Sequence, residues 1–279
     1  MSQSTVLQSR AAEACRLAAS REYEFINSPF LSPSEQAVYL RAAAECDPYT
    51  ARRLFFFGGC MGADRRRAVF VPTYIDTDTS PDYRNPFSSE REAYFLSITE
   101  SFPEENFGIV PVSVKGSGFV TISHRDYMGS VLGLGIERDV VGDIAVTGEC
   151  SAVIFTDEVI SPFITENLTK IGRDTVRCSP CEVPRDFVIP RRFETLHIAA
   201  GSDRADSIAA SLVGASRAEA KLLCTSGSVE VNYVSPVEPD SRIIPSDIIS
   251  VRGYGKFVID SFDGSTRSGR LKLTARRYL

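Results

Sequence analysis

His124-Arg125-Asp126 lies in the stretch "TISHRDYMGSVLGLGI" at residues 121–136 and matches the tripeptide that carries the catalytic base of protein kinases. Phosphoryl transfer needs more than this. An Asn five residues after the Asp must hold Mg²⁺, and that position is Val131. The strand lysine, the glycine loop over ATP and an Asp-Phe-Gly triplet do not occur in the required order. Gly129, Gly133 and Gly135 also lack the G-x-G-x-x-G spacing of a dinucleotide loop. A structural role fits better: Asp126 caps a helix start, while the glycines allow close packing and a C-terminal turn. His124 and Arg125 then remain exposed candidates for meeting a phosphate.

Cys178-Ser-Pro-Cys181 has the spacing of metal ligands, but zinc needs four and the chain offers no second CxxC or His pair. The pair falls in a linker rather than at a strand-to-helix turn, which weakens a redox role. Two reduced cysteines and no metal are expected. Arg65-Arg66-Arg67 is short enough to be a solvated face, and "LFFFGG" at 54–59 is core plus turn before it is a base-stacking platform.

The strongest chemistry is in "DRADSIAASLVGASRAEAKLLCTSGSVEVN" (203–232). Ala205, Ile208, Ala209 and Leu212 form the buried stripe of one helix and leave Arg204 outward. On the next helix Ser216 caps, Arg217 and Lys221 stand one turn apart on one face, and Ala220, Leu223 and Cys224 point inward. Three cations around a helix start make a phosphate cradle, the favoured reading, with a helical hairpin bearing ordinary solvated charges as the lesser alternative.

The elements that must position these residues fall into three segments. Residues 1–60 are expected to be a helical region, with Val6–Ser20 Ala-rich and Ser32-Pro33-Ser34-Glu35 a helix start. Residues 61–180 alternate. "AVFVP" (68–72) is a strand and 75–90 a loop. "FGIVPVSVK" (107–115) and "GFVTIS" (118–123) follow as strands, with a helix at 126–134. "DIAVTG" and "AVIFT" make a hairpin, and Asp157–Lys170 is an amphipathic helix with Val159, Ile160, Phe163, Ile164 and Leu168 on one side. "DTVRCS" closes this middle run as a strand. The order β-α-β-β-α-β is the ferredoxin-like plan shared by RNA-recognition domains. Residues 195–279 carry the two helices and the strands "SVEVN", "DIISV", "KFVIDSF" and "RLKLTAR", the last two joined through Asp263-Gly264. The fold class is therefore α+β.

The totals are those of an ordinary globular protein: 279 residues, 43% hydrophobic, 24% charged. No run of about 18 apolar residues exists, so no membrane contact is expected. The amino terminus lacks the apolar run of a signal peptide, and seven scattered cysteines do not make a disulfide framework, so a cytoplasmic location is expected. Net charge is −5, but 195–279 holds 11 Lys and Arg against 9 Asp and Glu, whereas 1–194 holds 20 against 27. That asymmetry is what a local polyanion-binding surface gives, and also what chance variation between domains gives.

"RADSIAA…SRAEAKLL…GSVEVN…DIISVRG" resembles the S4-type RNA-binding domain. "FFGGCMGADRRRAVFVPTY", "TISHRDYMGSVLGLGIERDVVGDI" and "NLTKIGRDTV" are similar to the YlmH family, in the same order, from about Ser32 onward. The resemblance implies a helical amino-terminal region, an RRM-like middle domain and a carboxy-terminal S4 domain. It also implies binding to ribosomal RNA, tRNA and the blocked large subunit during ribosome-associated quality control. A monomer without catalysis or cofactor is expected. Arg204, Ser216, Arg217 and Lys221 then take RNA-facing positions. Glu219 departs from the lysine common there, and Arg270, Lys272 and Arg276, alternating onto one face of the last strand, are expected to compensate. The rival readings are an S4-bearing rRNA- or tRNA-modifying enzyme and a scaffold for cell division or photosystem assembly. The 190 residues before the S4 segment show neither a methyltransferase cofactor loop nor an Asp-bearing catalytic domain.

Overall fold

The computed structural model describes residues 3–80, 89–102, 104–184 and 187–279, so part of the expected loop at 75–90 lies outside the described residues. The chain divides into two compact units, 1–190 and 191–279.

The first unit opens with α1 (Gln3–Ser20), β1 (Ile26–Leu31), α2 (Pro33–Cys46), α3 (Pro48–Arg52), β2 (Leu54–Phe57) and β3 (Arg66–Phe70). The α2 start is the expected one. Ser32 Oγ accepts from the Glu35 amide, the Glu35 carboxylate accepts from the Ser32 amide at 2.6 Å, and Pro33 takes the first turn, where no amide is needed. The segment is not only helical. β3 runs antiparallel between β1 and β2, so strands on both sides of residue 60 share one sheet. Strand alternation explains why "LFFF" is apolar throughout. Leu54 and Phe56 join Ala68 and Phe70 under α1 and α2, while Phe55 and Phe57 join Val69 on the other face.

Next come α4 (Ser89–Ile98), β4 (Ile109–Lys115), α5 (His124–Leu132), β5 (Val141–Gly148), β6 (Ser151–Asp157), α6 (Ser161–Asn167), β7 (Lys170–Ile171), β8 (Asp174–Thr175) and β9 (Arg177–Pro180). Sheet order β5-β6-β4-β9, all antiparallel, with α5 and α6 in the connections, is the βαββαβ plan. Three local expectations are corrected. Residues 118–123 form no strand, because β4 already has β6 and β9 on its two sides. α6 starts at Ser161 rather than Asp157, since Pro162 sits in its first turn, and Val159 is 81% exposed. The cap of α5 is Ser123, with Asp126 as its third-position partner.

One face of this four-stranded sheet (Val114, Ile144, Ala152, Ile154) packs under α5 and α6 through Tyr127, Val131, Ile164 and Leu168. The other face (Ala145, Val153, Phe155) packs against Phe30, Phe55, Phe57 and Val69 of the three-stranded sheet. The seam is tight. Gly59, at φ +90°, has no room for a Cβ, which would lie 2.5 Å from the Phe155 ring, and one on Gly142 would lie 2.7 Å from Phe30.

Arg65 and Arg67 hold that seam and Arg66 pairs with Glu92 of α4, which corrects the expected solvated face. Arg66 and Arg67 are buried. Arg67 pairs with Asp157 of β6 at 3.0 Å and donates to Ser28 and Gly108 carbonyls. Arg65 donates to the carbonyls of Phe30, Arg138 and Val141.

The second unit has β10 (Phe193–Ala200), α7 (Ala205–Val213), α8 (Arg217–Thr225), β11 (Val229–Val231), β12 (Ile248–Val251), β13 (Gly255–Ser265) and β14 (Leu271–Tyr278). The strands form one antiparallel sheet, β10-β14-β13-β12-β11, with α7 and α8 on one face. Its core is Ala205, Ile208, Ala209, Ala220 and Cys224 against Val229, Ile249, Phe257, Leu273 and Ala275. β10 was not anticipated. The β13–β14 turn lies at Thr266–Arg270, not at Asp263-Gly264, which falls in an irregular stretch of β13.

Candidate nucleic-acid interface

The two helices of the second unit meet through a carboxylate that sequence reasoning missed. Asp206, in the first turn of α7, is buried, with a side chain only 3% exposed. It accepts two bonds from Arg204, Nε to Oδ1 and Nη2 to Oδ2, both 3.1 Å. Arg217 of α8 brings its Nε to 3.5 Å from the same carboxylate. Burial pushes the Asp206 carboxyl up, but the Arg204 hydrogen bonds and both guanidiniums outweigh it and hold the group below the usual range. The same bonds raise the already high Arg204 value. Arg204 is therefore the N-cap residue of α7, fixed on Asp206 and half-buried, and not simply outward.

The amides opening α7 are engaged by backbone: Ala205 donates to Ser241 O and Asp206 to Pro239 O, at 2.9 and 3.0 Å. No anion cradle forms at that helix start. At α8, Ser216 Oγ accepts from the Glu219 amide at 3.2 Å, so its role is to fix where the helix begins. Arg217 and Lys221 are both exposed, one turn apart. Arg242, 83% exposed and 3.4 Å from Asp203, lies beside Arg204, its partner in an isolated bridge. Glu219 sits two residues from each of Arg217 and Lys221, about 200° round the helix, and so does not share their face.

The β14 cations divide differently. Leu273 and Ala275 face the helices, so Lys272 and Arg276 point to the opposite face of the sheet. They cannot compensate Glu219 on its own flank, contrary to expectation. Lys272 is exposed. Arg276 is bonded to Asp260 at 2.8 Å and lies 4.7 Å over the Phe193 ring. Phe193 meets Tyr278 edge-on at 4.8 Å, and Lys256 stands 4.6 Å over Tyr278. Arg270 falls outside the strand and donates to the Ala199 carbonyl.

His124 and Arg125 belong to the other unit, both exposed in the first turn of α5. Asp126 of the same tripeptide accepts from the Ser123 amide at 2.9 Å and from its hydroxyl at 2.6 Å. Those bonds, the hydroxyl foremost, hold its carboxyl low. An acid so engaged caps a helix and is not placed as a base. Cys178 points its thiol at the Leu168 carbonyl at 3.2 Å, and burial pushes it up to about 11. Cys181, three residues on along extended chain, faces the other way, and burial raises it too.

The middle domain departs from RNA-recognition domains in one important respect. Those domains stack bases on aromatic side chains of the sheet face opposite their helices. Here that face, with Phe155 at its centre, is covered by the three-stranded sheet.

These features define an α+β protein whose second unit carries a basic helix pair and whose first contains a βαββαβ domain. Residues 103–185 match the family model "Putative RNA-binding domain in YlmH". The chain is 26% identical over 257 residues, 92% of its length and 88% of the other's, to "Ribosome-associated protein quality control protein P2" of Bacillus subtilis (strain 168). A solved structure, "Cell division protein ylmH from Streptococcus pneumoniae", is 19% identical with a TM-score of 0.44, covering 65% of this chain and 93% of that one. The resemblance to the YlmH family seen in the motifs holds, and the matched segment takes in the run from β4 to β9.

Proposed function

We propose that this chain is a non-enzymatic RNA-binding protein that acts on the large ribosomal subunit in quality control of stalled translation, contacting ribosomal RNA and tRNA as a monomer. The observation that carries the reading is the cluster around Asp206. One buried carboxylate fixes Arg204 and orients Arg217 at the start of α8, with Lys221 one turn further on. Cations held on two helices meet phosphates at a lower ordering cost than free side chains do. The S4 resemblance, the family match at 103–185 and the name of the Bacillus subtilis relative all support it.

Lys272 and Arg276 would serve a second contact on the far face of the same sheet, and Arg270 one at its edge. His124 and Arg125 would add a contact from the middle domain. Asp126, the residue a kinase-like reading would need as its base, is a capping acid.

The test is filter binding of tRNA and of rRNA fragments over a salt series. Binding should fall steeply with salt, and Arg217→Ala and Lys221→Ala should each weaken all RNAs about equally while flattening the logarithmic slope by about one unit or less. Wild-type affinity and slope in both variants would place the RNA surface elsewhere.

A further inference from the structure

The covered sheet face leaves open how the middle domain meets RNA, and the loop joining β4 to α5 offers an answer. Phe119, in this loop, is 92% exposed, the most exposed large apolar side chain among the described residues, and neighbouring Val120 is 47% exposed. Single exposed apolar residues are common, but this one is presented by a loop fastened at both ends. Gly116 donates to Cys150 O at 2.8 Å, Ser117 to the Asp174 carboxylate at 3.0 Å, and Ile122 to Glu149 O at 2.7 Å. Gly118, at φ +90° with open space around it, makes the bend that sets the ring outward.

Charge supplies the second observation. Lys115 and Arg177 stand directly opposite each other on β4 and β9, both exposed and neither in an ion pair among the described residues. Like charges so placed repel, and an anion between them turns the repulsion into attraction. Lys115 is four residues from Phe119, within about 14 Å even if the chain is fully extended. Arg125 follows six residues after the ring and is exposed as well. Of the carboxylates at this loop's anchors and helix end, Asp174 and Asp126 are engaged by Ser117 and Ser123, while that of Glu149, whose carbonyl accepts from Ile122, is exposed.

We propose that this loop is a single-strand RNA site: an unpaired base stacks on Phe119 while its flanking phosphates meet Lys115, Arg177 and Arg125. An exposed ring among unpaired cations is the combination that single-stranded nucleic acid recognises, since every base has a face to stack and every linkage a charge. A duplex keeps its bases stacked inside and offers the ring nothing. The proposal rests on the RNA-binding reading above and adds which RNA form the first unit takes.

The experiment is fluorescence anisotropy of the full chain with a labelled single-stranded oligoribonucleotide and with the duplex of the same sequence. Phe119→Ala should weaken single-strand binding about 5- to 150-fold, the range of one lost stacking contact, and leave duplex binding unchanged. Phe119→Tyr should restore it. Lys115→Ala and Arg177→Ala should each flatten the single-strand salt slope by about 0.7. Wild-type single-strand affinity in Phe119→Ala overturns the proposal. So does a wild-type chain that binds the duplex but not the single strand, which leaves the RNA-binding reading standing. A chain that binds neither overturns both.

Discussion

Arg217 Nε lies 3.5 Å from Asp206 Oδ2, on a carboxylate already gripped by Arg204. The acid is almost wholly enclosed, whereas Arg217 is 63% exposed. The pair is therefore asymmetric: Asp206 depends on the guanidiniums for solvation, while Arg217 keeps most of its surface for a ligand. Asp206→Asn should leave two guanidiniums without their shared counter-ion. We expect a loss of about 1–3 kcal/mol in stability of the second unit, from an incompletely satisfied buried group. RNA affinity should fall at the same time, although a positive charge balance has been gained. Denaturant unfolding and filter binding check the two arms, and higher RNA affinity in Asp206→Asn would show that net charge, not placement, governs binding.

The same carboxylate gives a pH dependence. Its folded pKa lies below the unfolded value, so the stability it contributes is present above the unfolded carboxylate range and is lost as pH falls through the folded value. Acid titration of unfolding should show the second unit weakening below about pH 4, with a shallower dependence in Asp206→Asn. Identical acid profiles would remove Asp206 from the account.

Arg67 and Asp157 test the first unit. Their buried pair ties the three-stranded sheet to β6, and removing one partner leaves an uncompensated charge. Arg67→Met should cost about 3–5 kcal/mol. Arg67→Met with Asp157→Leu should recover part of that loss. RNA affinity per folded molecule should not change. Thermal unfolding by calorimetry, paired with binding at a temperature where both proteins are folded, reads the outcome.

How much of this was legible in the sequence depended on how local the cause was. The Ser32 box and the α8 start at Ser216 follow from neighbouring residues and were read correctly. Ser123 was passed over because Asp126, three residues on, is also a good cap, and only the geometry shows which accepts from which amide. The stretch 118–123 alternates as a strand does, but strand pairing is decided by partners far along the chain, and β4 had both its sides filled. Arg65–Arg67 looked solvated for the same reason. Nothing near a basic run announces that an acid 90 residues later will enclose it. The candidate RNA residues on α7 and α8 came together, yet Asp206, which unites them, looked like an ordinary first-turn acid. Lys272 and Arg276 were rightly placed on one strand face, but which side the helices cover was not visible.

The far face of the second unit gives a contrast between two cations on one strand. Lys272→Ala should flatten the salt slope of RNA binding by less than one unit with little effect on stability. Arg276→Ala, which removes the Asp260 pair and the contact with Phe193, should cost about 0.5–1 kcal/mol in stability. Unfolding midpoints measured beside salt titrations separate the two, and reversed effects would contradict the assigned faces.

The measurement that bears most directly on the whole reading is sedimentation of the chain with purified large ribosomal subunits through sucrose gradients at several salt concentrations. The wild-type protein should travel with the subunits at low salt and leave them as salt rises. The Arg217→Ala, Lys221→Ala double variant should stay at the top of the gradient at salt concentrations where the wild type is still bound. A double variant that co-sediments like the wild type at every salt concentration, or a wild-type chain that never enters the subunit peak, would contradict it.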